Sequence, residues 1–199
     1  MTIMPAPKIL VIPGSLRTGS HNARLAALAA KELVLADAEV TEISLQDYPL
    51  PLFDADTLAT DGLPHHAMQL QRMMSAHQGV FITSPEYSAS VTPLVKNTID
   101  WMSRGRSRGE SNYAAFKDRV FAIGAASAGA GGGMRSLMAL RHILELGCGA
   151  MVIPEQISVA NAADAFDDMD NLKDDRAAAA LKSLARRMVE VTRALARES

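Results

Sequence analysis

The stretch "KILVIPGSLRTGSHN" (residues 8–22) combines a buried-strand pattern with a turn of unusual polarity. Its apolar, β-branched run predicts a strand over residues 8–12. After the turn, Leu25, Leu28 and Leu33 recur at helical spacing, which predicts a helix. The segment is therefore expected to form a strand, a tight polar turn and a helix in direct succession.

The remaining chain repeats this alternation of short apolar runs and helical stretches. Further strands are predicted at residues 39–43, 79–83, 119–126 and 150–154. Helices are predicted near residues 65–77, from Pro93 to about Met102 with Thr92 as the cap, around Leu137 to Leu144, and through Leu181 to Leu195. This pattern is typical of an α/β fold in which a doubly wound, five-stranded parallel sheet carries helices on both faces.

Length and composition favour one domain over residues 1–199, since the chain of 199 residues is 48% hydrophobic. Its formal net charge of −2 provides no field for gathering nucleic acid or an anionic membrane. The absence of a long apolar run predicts no membrane span, and "MTIMPAPK" lacks the pattern of a secretory signal. A single cysteine, Cys148, excludes an internal disulfide and favours a cytoplasmic location.

The polar turn has the composition of a phosphate site. In parallel sheets the loops after the strands meet at one rim, where ligands bind, and a helix start there attracts anions. Gly14 permits a close turn, Ser15, Ser20 and Asn22 offer polar side chains, and Arg17 adds a permanent positive charge. The turn is therefore predicted to bind a phosphate monoester, although Ser20 and Asn22 could instead only cap the helix.

Two common nucleotide motifs are excluded by the spacing of the glycines. The chain contains no G-x-x-x-x-G-K-[ST], and "SAGAGGGMRS" (127–136) follows the fourth strand without the G-x-G-x-x-G spacing. A flavodoxin-like sheet of order 2-1-3-4-5, with a mononucleotide at the first turn, remains compatible. The loops 84–91, with Pro85 and Tyr87, and 126–133 are expected at the same rim, although both could be ordinary turns.

Three segments, "GSLRTGSHN", "SPEYSASVTPLVKNTIDWMSR" and "SAGAGGGMRSLMALRHIL", together resemble the NAD(P)H-dependent FMN reductase family, which includes quinone, chromate and azo-dye reductases. The resemblance covers about residues 8 to 160. It implies an enzyme with FMN as cofactor and NADPH or NADH as co-substrate. Hydride would pass from the nicotinamide to FMN, and electrons then to a flavin, a quinone or another small electrophilic acceptor.

The resemblance also assigns roles to particular residues, all of them in contact with the cofactor. It implies that the FMN phosphate is held by Ser15, Arg17, Ser20 and Asn22. It places Pro85, Glu86 and Tyr87 along the isoalloxazine ring and ribityl chain, and Ser127 and Gly129 on the other side of the ring. Ser88 occupies a position where the family usually has Asn, and this shorter side chain could lose one contact to the flavin or to a neighbouring subunit.

Because FMN would supply the chemistry, no catalytic side chain and no metal site is predicted. The main alternatives are a different acceptor, a flavodoxin-like electron carrier, or a flavin-binding regulatory module without turnover. Family members form dimers and often tetramers, which implies a homodimer or homotetramer. Trp101 and Met102 could anchor that interface or lie in the monomer core. The arginines of "SRGRSRGES", Arg104, Arg106 and Arg108, could be solvated or could meet the 2′-phosphate of NADPH.

Overall fold

Five parallel strands form one sheet in the order β2-β1-β3-β4-β5 in the computed structural model, which describes residues 5–105 and 111–196. The strands are β1 (Lys8–Pro13), β2 (Glu39–Glu42), β3 (Gly79–Thr83), β4 (Val120–Ala126) and β5 (Met151–Val159). The predicted strand order and fold class are therefore confirmed.

Six α-helices accompany the sheet in the described part of the chain. They are α1 (His21–Leu35), α2 (Ala55–Asp61), α3 (His65–Ser75), α4 (Pro93–Met102), α5 (Met134–His142) and α6 (Asp175–Leu195). The sequence did not predict α2 because none of its residues is buried, so it carries no apolar period. The Asp54 carboxylate starts α2 by accepting hydrogen bonds from two backbone N–H groups.

The two faces of the sheet build two separate apolar cores. Ile9 and Val11 of β1 pack in the core that includes residues of α1 and α6. Leu10 and Ile12 point the opposite way, into the core shared with α3, α4 and α5. This alternation along a strand with period two explains why a continuous apolar run is needed for a strand covered on both faces.

Strand β5 extends beyond the predicted end at residue 154. Its register with β4 shifts between Phe121 and Ile123, because β5 holds extra residues there, as in a β-bulge. The Arg141 guanidinium donates to the Ile153 carbonyl at 2.9 Å at this point. Pro154 lies at this irregularity, where the continuous apolar run ends. The strand nevertheless continues to Val159, and for this reason the apolar run predicted too early an end.

The chain reverses its winding direction between β1 and β3. β1 pairs with β2 on one side and with β3 on the other, so the carboxyl ends of β1 and β3 open a crevice at the rim. Gly14 closes the β1 end by donating its N–H to the Thr83 carbonyl at 2.7 Å. A Cβ at this position would lie 2.3 Å from a Val95 methyl carbon, so only glycine allows this approach.

Asn22 connects the start of α1 with the end of β4. Its Nδ2 donates to the Ala126 carbonyl at 2.7 Å, and its Oδ1 accepts from the Ala126 N–H at 3.0 Å. The Thr83 hydroxyl donates to the Asn22 carbonyl at 3.0 Å. One buried residue therefore fixes the first turn against both β3 and β4.

Helix α5 receives its cap from a different loop. Gly133 precedes it with φ of 81° and offers no side-chain cap. The Glu86 carboxylate accepts the Arg135 N–H at 3.0 Å and also pairs with the Arg135 guanidinium. The buried Ser136 hydroxyl donates to the Pro85 carbonyl at 3.1 Å. These contacts join the β3–α4 loop to the start of α5, as a capping side chain would.

Opposing effects act on the pKa of Glu86. Burial alone would raise it, but the hydrogen bonds and the positive charge of Arg135, with the Ser136 backbone N–H, outweigh burial and lower the pKa. The folded protein therefore stabilises the ionised form of Glu86 more than the protonated form.

Within residues 5–105 and 111–196, no helix is both long enough and apolar enough to span a membrane.

Replacing Asn22 with Ala is expected to lower the free energy of unfolding by about 2–4 kcal/mol, because the buried Ala126 N–H and carbonyl lose their partners. Urea unfolding of the flavin-free protein, followed by circular dichroism, measures this loss. Asn97 is a matched control, since its amide also bonds backbone groups, those of Phe53 and Pro51, but closer to solvent. Asn97→Ala should cost about 1 kcal/mol. Equal losses in the two variants would contradict the role given to Asn22.

The lowered pKa of Glu86 predicts a pH-dependent contribution to stability. A carboxyl group with a depressed pKa stabilises the folded state when the pH lies above the pKa that the group has in the unfolded chain. This contribution disappears as the pH falls through the pKa that the group has in the folded protein. Wild type should therefore exceed Glu86→Gln in stability at pH 7. The difference should shrink below the ordinary value of 4.5 and vanish below the lowered pKa. Glu190→Gln, at an exposed ion pair, should show little difference. A pH-independent difference for Glu86→Gln would refute the assignment.

Candidate functional site

A cavity of about 320 Å³ lies at the rim where the loops after β1, β3 and β4 meet. It brings together every predicted site residue except Ser88 and Gly129. The lining residues are Ser15, Arg17, Ser20, His21, Asn22, Pro85, Glu86, Tyr87, Ala126, Ser127 and Ala128. Three loops separated by many residues in the sequence thus contribute to one concave surface at the switch point of the sheet.

The β1–α1 turn supplies the positive charge of the cavity. The Arg17 guanidinium donates to the Gly19 carbonyl at 3.2 Å, and the Ser15 hydroxyl accepts the Arg17 N–H at 3.3 Å. No acidic residue lies in the first turn of α1. The partial positive charge of the helix start is therefore not neutralised within that turn, which suits an anion.

Ser20 and Asn22 both have partners within the protein. The Ser20 hydroxyl accepts the N–H groups of Asn22 at 3.2 Å and Ala23 at 3.4 Å, so it caps α1 as the alternative interpretation expected. The Asn22 amide is taken up by Ala126. Both residues are buried. Their direct contact with a cofactor stays a prediction, whereas their part in shaping the turn is visible in these bonds.

Tyr87 begins a two-residue reverse turn that ends at Ser90. The two residues exchange backbone hydrogen bonds of 3.0 Å, and both intervening residues, Ser88 and Ala89, have positive φ, at 49° and 62°. Such turns favour Asn followed by Gly, because other residues are strained in this conformation. Ser88 lies exposed at the tip and does not line the cavity. A serine tolerates this positive φ less well than an asparagine does, while the loss of a contact to the flavin or to a neighbouring subunit stays a prediction.

The loop after β4 covers the other side of the cavity. Ser127 lines the cavity, and its hydroxyl accepts the Gly129 N–H at 3.3 Å. Gly129 itself is exposed and turned away, with its carbonyl accepting the N–H groups of Gly132 and Asn161. Gly129 thus shapes this loop.

His21 lines the cavity but was not among the predicted site residues. Its Nδ1 atom is buried and has no hydrogen-bond partner in the described part of the chain. Burial lowers its pKa, and the nearby charges of Arg17 and Arg24 lower it further. The available signal was its position between Ser20 and Asn22 in the polar turn, but a lone histidine at a helix start is most often simply solvated.

Several other noted residues lie away from the cavity. The Arg104 guanidinium lies 4.9 Å above the Phe53 ring. Arg106 and Arg108 lie outside the described residues, so the proposed contact with NADPH is not located. Cys148 is buried, and burial together with the charge of Asp100 raises its pKa to about 11. No group of three His, Cys, Asp or Glu side chains suited to a metal occurs in residues 5–105 and 111–196.

Trp101 and Met102 belong to the interior of the monomer. Trp101 is fully buried, and its indole N–H donates to the Pro51 carbonyl at 2.8 Å. Its ring meets that of Phe53 edge to face with centroids 4.9 Å apart. Of the two interpretations considered for Trp101, burial within the monomer is the one observed, and an interface needs other residues.

The donors of the cavity fit FMN. A flavin mononucleotide presents a phosphate monoester, a hydroxylated chain and a flat ring, and the cavity offers a guanidinium and a helix start at one end and Tyr87 at another. Arg17 and Ser15 would hold the phosphate, while Tyr87 and Ser127 would lie beside the remaining flavin. Bound FMN would supply hydride and electron transfer there.

Comparisons with known proteins identify the family to which the chain belongs. Residues 7–164 match the family model described as NADPH-dependent FMN reductase. The chain is 31% identical over 171 residues to an NAD(P)H-dependent FMN reductase of Pseudomonas aeruginosa, covering 85% of this chain and 86% of the relative. It is 33% identical over 144 residues to an NAD(P)H:quinone oxidoreductase of Solanum tuberosum, covering 72% and 70% of the two chains.

A solved structure shares the fold. The flavoenzyme FerB, an NAD(P)H:(acceptor) oxidoreductase from Paracoccus denitrificans, superposes with a TM-score of 0.78 at 23% identity, covering 95% of this chain and 98% of FerB. The match of 158 residues to the family model, from 7 to 164, includes all three loops that line the cavity. The chain therefore belongs to the NADPH-dependent FMN reductase family and is an oxidoreductase that uses FMN and NAD(P)H.

Proposed function

We propose that this enzyme holds FMN in the cavity at the β1–β3 switch point and reduces a small electrophilic acceptor, such as a flavin or a quinone. The observation that carries the proposal is the convergence of the Arg17 turn, Tyr87 and Ser127 on one cavity. Names of relatives that include both FMN reductases and quinone oxidoreductases support this acceptor class. We further propose that residues 1–199 form a single domain.

The protein contributes binding and position to the proposed reaction. Arg17 and Ser15 bind the phosphate, and the N-terminus of α1 adds its partial positive charge. FMN held there would supply the hydride and electron transfer between NAD(P)H and the second substrate. We assign no chemical step to any side chain.

Rigidity of the surrounding loops is part of this function. The Glu86 carboxylate and the Ser136 hydroxyl hold the β3–α4 loop to α5, so Tyr87 projects from a fixed base. The Tyr87 side chain is 52% exposed beside the cavity, so its ring could cover a flavin held there. Covering the ring excludes water from its face, which suits hydride transfer.

We also propose that the chain forms a homodimer or homotetramer through α5 and the turn that follows it. Met138 is 66% exposed and Leu146 is 75% exposed, and Met134 at the start of α5 and Tyr87 beside the cavity are also exposed. Exposed apolar residues beside a binding site are typical of interfaces. A cytoplasmic location, inferred from the single cysteine, is part of the same proposal.

Purified protein supplied with FMN is expected to show a bound-flavin absorption spectrum that bleaches promptly on anaerobic addition of NADPH. Stopped-flow absorbance separates the enzyme from its alternatives. Binding with slow bleaching would favour an electron carrier or a regulatory module. No flavin binding would refute the proposed cofactor site.

Replacing Arg17 with Ala should weaken FMN binding roughly 10- to 100-fold, the usual effect of losing a hydrogen bond to a charged group. Quenching of flavin fluorescence measures this affinity. Riboflavin, which lacks the phosphate, should bind both proteins alike. Arg72→Ala, on the exposed side of α3, is the matched loss of one positive charge and should leave FMN affinity unchanged. Equal weakening for FMN and riboflavin would place the phosphate elsewhere.

The assembly proposal predicts that the protein sediments above its monomer mass of 21.3 kDa at micromolar concentration. Met138→Glu should shift the population toward monomer, because it buries a charge in the proposed interface. Met169, which is 79% exposed in the loop before α6, provides the matched control, and Met169→Glu should leave assembly unchanged. A wild-type monomer at micromolar concentration would contradict the proposal.

A further inference from the structure

His21 occupies the phosphate end of the cavity and has no evident role within the protein. It is the first residue of α1 and lines the cavity beside Ser15, Arg17 and Ser20. Its Nδ1 is buried without a hydrogen-bond partner in the described part of the chain. A buried polar atom left unpaired is costly, so such atoms call for an explanation, and a ligand that changes the state of the ring would provide one.

The charges around His21 disfavour its protonated form while the cavity holds no anion. Arg17 from the turn and Arg24 from α1 both repel a proton on the imidazole. Two nearby carboxylates are each paired with an arginine. Asp170 pairs with Arg24, and Glu86 binds Arg135 and its N–H group. Arg17 has no carboxylate partner in the ranges 5–105 and 111–196, so positive charge dominates the surroundings of the ring.

We propose that His21 is an additional residue of the phosphate-binding turn, which takes up a proton when the phosphate monoester of FMN binds beside Arg17. This inference rests on the proposed function. A phosphate monoester near neutral pH carries between one and two negative charges. Placed between Arg17 and His21, it offsets the repulsion from the arginines and stabilises a positively charged imidazole.

Proton uptake on binding makes FMN affinity depend on pH. As the pH falls from 8 toward 6.5, more of the bound protein gains the extra positive charge, so affinity rises. Arg17 cannot contribute such a dependence, because its guanidinium stays charged throughout this range. For each unit by which the phosphate raises the pKa of His21, the affinity for FMN can rise at most tenfold.

The test compares FMN binding by wild type and His21→Asn, measured by flavin fluorescence quenching at several pH values between 8 and 6.5. The ratio of the two dissociation constants removes the ionisation of the phosphate itself, which both proteins experience alike. We expect the advantage of wild type to grow roughly three- to tenfold over this range. Riboflavin should show no such growth. His21→Gln repeats the test, and thermal unfolding identifies any variant that does not fold.

A second measurement follows the ring directly. Titration of the His21 imidazole by nuclear magnetic resonance, with and without inorganic phosphate, should give a higher pKa when phosphate is present. An unchanged imidazole titration, parallel pH profiles of wild type and both variants, or an equal pH effect on riboflavin would each overturn the inference while leaving the proposed function in place. Failure of wild type to bind FMN at any pH would overturn both.

Discussion

The hydrogen bonds between Asn22 and Ala126 are the constraint on which the cavity at the rim of the sheet depends. They use one buried side chain to hold the start of α1 against the end of β4, two segments 104 residues apart in the chain. Without them the first turn would be joined to the sheet only through its own strand and its contacts with β3. The cavity keeps its shape because these bonds hold the start of α1 and the end of β4 together.

The same principle recurs at the opposite side of the cavity. Helix α5 begins after a glycine whose positive φ and contact with Ala125 exclude a side chain. Its cap comes instead from Glu86, on a loop nearly fifty residues earlier in the sequence. Because Glu86 precedes Tyr87 directly in the chain, its bond to the start of α5 also fixes the position of Tyr87 relative to that helix. The loops that would enclose the flavin are thus fixed by each other.

Charge is distributed unevenly around this rigid frame. Near the Glu86 loop, the carboxylate neutralises Arg135 and the start of α5. At the first turn, Arg17 and the start of α1 have no such counter-charge among the described residues. Burial lowers the pKa of His21 there, and the charges of Arg17 and Arg24 lower it further. An anion is therefore expected to gain more at the first turn than elsewhere in the cavity, and the proposed orientation of FMN, with its phosphate toward α1, rests on this difference.

The sequence by itself determined where the five strands lie and which loops meet at the rim, and it was compatible with the observed strand order. Apolar runs and helical spacing are local signals, and the three motifs lie on the loops that right-handed crossovers bring together. Tertiary structure alone decided the partners of the polar side chains. Asn22 and Glu86 were predicted as ligand contacts, which stays a prediction, and the structure adds that the Asn22 amide bonds the Ala126 backbone and the Glu86 carboxylate binds Arg135. Tertiary structure also revealed three features that the sequence pattern left open: helix α2, the end of β5 and the burial of Trp101. A hydrogen bond or a packing contact depends on which groups meet in space, and spacing along one chain does not carry that information.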